Sequence, residues 1–150
     1  MSLIVALLGK KCGVVASDSI KVSPEGIASF DFNKTFSIEK PQMICAHVGL
    51  LDFMGIKIEA HLLEITFESR FKNLRETINR VRSELIKKLN SSEIVFEERK
   101  VELLMLSRKN FSSGRYEIRA INLKPNPEKK IIGSSLFQVG KPKFSFPAIR

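Results

Sequence analysis

Apolar residues recur along this chain in two different rhythms. Residues 3–8, LIVALL, form a short apolar run, and GKKCG at 9–13 interrupts it with a glycine at either end. That arrangement fits a hairpin loop, with 13–19 (GVVASDS) as the return strand. SPEG at 23–26 is a second turn signal, and KTFSI (34–38) and QMICAHV (42–48) read as two further strands around Lys40-Pro41. The rhythm then changes. Met54, Ile58, Leu62 and Ile65 fall at helical spacing over 50–71, and Leu74, Ile78, Val81, Leu85 and Leu89 do so over 73–90. Strand-like runs return at 100–108, 115–123 and 129–133, with NFSSG (110–114) as a turn. Strands, two helices and strands again predict an α+β domain rather than alternating βαβ units.

Composition narrows the picture. The 150 residues are 43% hydrophobic, which is the length of one domain, 1–150, and excludes a disordered chain. Lys plus Arg number 25 against 16 Asp plus Glu, a net charge of +9, which raises a nucleic-acid-binding module as one reading. The charge is spread out, with no run denser than pairs such as Lys10-Lys11, Lys87-Lys88 and Lys129-Lys130. One Tyr and no Trp leave few stacking platforms, so nucleic acid ranks third among the functions considered. Cys12 and Cys45 stand in apolar stretches without metal-ligand spacing and read as small buried hydrophobes. No metal or cofactor is implied. The opening apolar run is too short to span a membrane and lacks the basic flank of a signal peptide, so the sequence reads as cytoplasmic.

One carboxylate stands out. In VVASDSI (14–20), strand-formers run into Ser17, Asp18 and Ser19, so Asp18 needs a partner. Removal of Met1, which a small second residue permits, would leave Ser2 with a hydroxyl and a free α-amine on one residue. An α-amine titrates near ~8, low enough to take the proton of its own hydroxyl. Such a nucleophile needs a nearby cation to hold the amine's pKa down and a carboxylate to hold that cation. Lys34 and Asp18 are the candidates.

SLIVALLGKKCGVVASDSI resembles the start of a proteasome β-subunit or of the bacterial peptidase HslV, both N-terminal nucleophile hydrolases. The family pattern places an Asp sixteen residues after the nucleophile and a Lys thirty-two after it; counted from Ser2 these are Asp18 and Lys34. NKTFSI (33–38) is similar to the family's lysine-bearing strand, CAHVGLLD (45–52) to the stretch before the first helix, and IIGSS (131–135) to its Gly-Ser pair. The resemblance covers roughly 1–140. It implies a four-layer αββα sandwich with its C-terminal part shortened. It implies a peptidase in which Ser2 attacks, Lys34, Asp18 and Ser134 support it, and the amides of Val48 and Gly49 stabilise the oxyanion. Phe32, Phe36, Ala46, Leu50 and Met54 would line a specificity pocket or belong to the core. By the same resemblance the chain would form homo-oligomers, with a ring and an ATPase partner as possibilities, and take peptide or protein substrates.

Several positions depart from the family. Serine replaces the nucleophilic threonine, Ile20 an arginine, and Val48 a glycine, and no Asp follows Asp52 to supply the family's second active-site aspartate. These departures sustain the rival reading, a catalytically inactive proteasome-like structural or assembly protein. The two histidines, His47 and His61, lack a carboxylate at triad spacing and are assigned to core or surface.

Overall fold

A computed structural model describes residues 3–9, 11–19, 21–22, 28–29, 33–39, 42–49, 52–53, 56–67, 73–110 and 113–138. Along the chain run β1 (Ile4–Leu8), β2 (Gly13–Ser17), β3 (Lys21–Val22), β4 (Ala28–Ser29), β5 (Thr35–Ile38), β6 (Met43–Gly49), β7 (Asp52–Phe53), β8 (Ile56–Lys57), α1 (Ile58–Phe67) and α2 (Leu74–Ser91). A single 3-10 turn at Phe96–Glu98 leads into β9 (Val101–Asn110), β10 (Ser113–Asn126) and β11 (Ile131–Gln138). The architecture is mixed α+β. Its centre is an antiparallel five-stranded sheet in the order β11-β10-β9-β6-β5.

Alternation along the strands sends successive side chains to opposite faces of this sheet. Met43 and Cys45 of β6, Val101, Leu103 and Met105 of β9, and Ile121 and Leu123 of β10 form one face, buried in a common core with both helices. The other face carries Ala46, Leu106 and Ile118, also buried. The β1–β2 hairpin packs over that second face. A Cβ at Gly13 would lie 2.6 and 2.8 Å from the two Leu106 methyls, so with any larger residue here the buried Leu106 side chain would have to shift. Two helices, a sheet and a hairpin therefore make three layers among the described residues.

The second helix follows its sequence signal closely. Leu74, Ile78, Val81, Leu85 and Leu89 are all buried, and burying each such side chain contributes about 1.5–3 kcal/mol. Asn73 caps the start: its Oδ1 accepts from the Glu76 amide at 3.0 Å and its Nδ2 donates to Glu76 Oε1 at 3.0 Å. The Ser92 hydroxyl closes the far end by donating to the Leu89 carbonyl at 2.8 Å.

Elsewhere the boundaries differ from those predicted. The first helix begins at Ile58, not near residue 50, because β7 and β8 pair as a small antiparallel ladder ahead of it. The strand predicted at 129–133 lies at Ile131–Gln138, and Lys129 and Lys130 belong to the preceding turn, Lys130 with a φ of 48°. The β1–β2 hairpin forms its own two-stranded sheet instead of joining a large second one. Ser2, Met1, Ile20, Phe32, Leu50, Met54 and the turn at 23–26 lie outside the described residues. Among those described, no helix is long and apolar enough to cross a membrane.

Candidate active site

Asp18 follows directly on β2, and the ladder between β1 and β2 extends one step further to reach it. The Asp18 amide donates to the Leu3 carbonyl at 3.0 Å, and the Leu3 amide donates to Asp18 Oδ2 at 3.0 Å. The second carboxylate oxygen, Oδ1, accepts a hydrogen bond from Lys34 Nζ. This ion pair is largely withdrawn from water: the Lys34 side chain is 2% exposed and that of Asp18 23%. The Lys34 ammonium holds the Asp18 carboxyl below the usual carboxylate range; partial burial opposes this and the Leu3 amide assists it.

Local chemistry fixes Lys34 as well. Asn33 Oδ1 accepts from both the amide and the hydroxyl of Thr35 at 3.0 Å, a side-chain turn that sets the entry into β5. The Lys34 carbonyl accepts from the His47 amide at 3.0 Å, so the β5–β6 pairing runs through the lysine's own backbone. This register places His47 beside Lys34. His47 is buried, its ring centroid 6.1 Å from that of Phe36. Burial, reinforced by the Lys34 charge, lowers its pKa to about 4, so the ring is neutral at pH 7.

Position 2 is bonded to the Leu3 nitrogen that Asp18 holds, so the pair lies one residue from Ser2, itself outside the described residues. The remaining candidates are not all gathered there. Because the His47 amide points toward β5, alternation turns the Val48 amide toward β9, where Glu102 is its register partner. The Gly49 amide is turned back toward the Lys34 side. Gly49 has a φ of 94°, and a side chain on it would collide with the Lys100 carbonyl oxygen. Ser134 is exposed on β11, paired with Leu123 at the opposite edge of the sheet from β5. With strands ~4.8 Å apart, four strand spacings put it roughly 19 Å from the lysine's strand. Of the proposed pocket residues, Ala46 is fully buried and Phe36 packs against the helix-side core.

A cleft of about 550 Å³ lies between the end of β5 and α1, lined by Ser37, Ile38, Leu63, Thr66 and Phe67 with Glu39 and Glu64; Asp18 and Lys34 are not part of its wall. No cluster of three His, Cys, Asp or Glu suited to a metal occurs among the described residues. A concentration of basic side chains at the end of the β9–β10 hairpin is missing from the sequence reading. The ladder assembles it from residues far apart in the chain, and the one local hint is Arg108, Lys109 and Arg115 flanking the turn. Comparison with protein-family models, curated proteins and solved structures finds no match for this chain.

Proposed function

We propose that the chain is a proteasome-like N-terminal nucleophile hydrolase in which Ser2, made the first residue by removal of Met1, attacks peptide bonds. One observation carries this reading: a buried Lys34 ammonium paired with Asp18, whose other oxygen holds the amide next to position 2. In this mechanism the Ser2 α-amine takes the hydroxyl proton as Oγ adds to the substrate carbonyl carbon. The positive charge of Lys34 depresses the amine's pKa, and Asp18 keeps the lysine in place and compensated. The Gly49 amide, turned to the same side, donates to the developing oxyanion. The amine returns its proton to the leaving nitrogen, the peptide bond breaks, and an ester forms on Ser2. Water, deprotonated by the same amine, then hydrolyses that ester and restores the hydroxyl.

The αββα sandwich belongs to this reading, with the hairpin over the sheet as the beginning of its second sheet. So does self-association. Leu3, Val5, Leu7 and Val14 are 62%, 43%, 64% and 55% exposed on the outward face of β1–β2, an uncharged surface that a second copy could cover. The rival reading, an inactive structural relative, draws its support from Ser134 at the far sheet edge and from the Val48 amide turned into the sheet.

The test uses protein whose mature N-terminus is confirmed by intact mass, with an activated ester as substrate. Ser2→Ala and Lys34→Ala should each lower turnover by about 10²–10⁴-fold, the usual contribution of a positioned acid–base group, while Lys129→Ala leaves it unchanged. Equal rates in all four proteins would leave the structural reading in its place.

A further inference from the structure

A second feature lies away from Asp18 and Lys34. The start of α2 and the end of the β9–β10 hairpin enclose a polar cavity of about 380 Å³ lined by Asn73, Arg75, Lys109, Asn110, Glu117 and Arg119. Three of these side chains are cationic and one is anionic. The anionic one is already engaged, since Arg119 Nη2 and Nε lie 3.3 and 3.4 Å from Glu117 Oε2. Glu76, nearby in the first turn of α2, is held by the Asn73 amide. Arg75 and Lys109 are both exposed, and neither makes an ion pair with a described residue. Glu117 is the one carboxylate among the lining residues, so the wall carries a surplus of positive charge.

The position of Arg75 sharpens the point. It is the second residue of α2, at the positive end of the helix dipole, where a cation is disfavoured and an anion favoured. The walls are also well fixed relative to each other, because Asn73 and Asn110 form a β-bridge that ties the helix start to the strand end. On the reverse side of the hairpin the Arg108 guanidinium lies 5.6 Å over the Tyr116 ring, adding to the positive field at this end of the molecule.

We propose that this cavity binds a phosphate group. The Arg75 guanidinium and the Lys109 ammonium, with Arg119 held beside them by Glu117, suit a dianion with several acceptor oxygens, and the Asn110 amide can donate to groups beside it. The volume admits more than the bare anion and is of the size that holds small ligands. The phosphate belongs either to a small phosphorylated metabolite or to a nucleic-acid backbone; the chemistry recognised is the same. This site does not rest on the hydrolase reading and shares no residue with it.

The experiment is a calorimetric titration at low ionic strength with three probes: inorganic phosphate, ribose 5-phosphate and a short single-stranded RNA. The proteins are the wild type, Arg75→Ala, Lys109→Ala, the double variant, and Lys129→Ala as a control outside the cavity. Both cavity residues are on the surface, so an unchanged melting temperature is expected and verifies the fold. Phosphate affinity should fall about 3–10-fold in each single variant and further in the double, with Lys129→Ala unchanged. Ribose 5-phosphate binding tighter than RNA, and lost in the double variant, identifies a small metabolite. RNA binding tighter, and lost in the same variant, identifies nucleic-acid backbone. Phosphate affinity unchanged in the double variant, or no phosphate binding to the wild type at about 10 mM, overturns the proposal.

Discussion

His47 shows how a single register decides a residue's chemistry. It lies opposite Leu103 on the helix side of β6, buried, with the Lys34 charge beside it, and its pKa is lowered to about 4. In the unfolded chain the same ring takes a proton near pH ~6.5. The unfolded state therefore binds more protons between these values, and stability should be lost as the pH falls from about 6.5 toward 4. The loss attributable to His47 is on the order of 3 kcal/mol. Urea denaturation of wild type and His47→Leu across this range checks it: the variant should lack most of the slope. Asp18 contributes only lower down, since its depressed carboxyl favours the fold above about pH 4 and loses that effect as the pH falls further. The cysteines separate in the same way. Burial, with a smaller contribution from Glu59, pushes the Cys45 thiol up to about 12, whereas Cys12 is exposed. A thiol-titrating reagent should count one cysteine in the native protein and two in denaturant; two in the native state would contradict the packing of β6. Burial of both cysteines, as the apolar sequence context suggests, thus holds for Cys45 alone. Cys12 sits in the hairpin loop, where neighbouring hydrophobic residues belong to strands and not to a core. The Asp18–Lys34 contact is expected from the family resemblance, whose pattern supplies the spacing of the two residues from position 2. The nearness of His47 is not, because it depends on which residue of β6 pairs with Lys34.

Elements were readable where their period was unambiguous. The α2 segment repeats leucine and isoleucine at steps of three and four and carries its own cap, so pattern and structure coincide to within a residue at either end. The first helix is shorter than its apolar pattern predicts because the residues at 51–58 suit a helical count and a short ladder equally well, and pairing of Asp52 with Lys57 decides for the ladder. The second part of β11 is hidden in the sequence because GSS resembles a turn; in the sheet those residues continue the pairing with β10. Glycine positions offer a direct test at this scale. Gly49 and Gly114 both have left-handed φ values, 94° and 95°, but a side chain at Gly114 would meet nothing nearer than Lys109 Cβ at 3.6 Å. Gly114→Ala should cost only the backbone strain, about 1–2 kcal/mol, whereas Gly49→Ala adds a collision with the Lys100 carbonyl and should cost more. Equal losses in denaturant midpoints would mean that β9 yields at Lys100.

At the scale of the molecule, charge and apolar surface oppose one another. A net charge of +9 repels a second copy, while the outward face of β1–β2, with Val5 opposite Ala16 and Leu7 opposite Val14, carries only apolar side chains. Association should therefore strengthen as salt screens the charge. Sedimentation at tens of micromolar, about the range of weak association, should show a larger species in the wild type that Leu7→Glu abolishes. A monomer in both, at low and high salt, would rule the face out. The division into sheet and helices was legible from composition and rhythm; how many layers they form was not, because the same strands can join one sheet or lie across it. The central sheet has one more property. Among the described residues no strand lies beyond β11, and its sequence, IIGSSLFQ, contains neither charge nor proline. Edges of that kind lack the features by which sheets ordinarily refuse newcomers. Left uncovered, such an edge would make the sheet a template as well as a scaffold. Conditions that loosen the helices without melting β9–β11 would let one molecule seed the next, with the growing fibril taking its register from the ladder already in place.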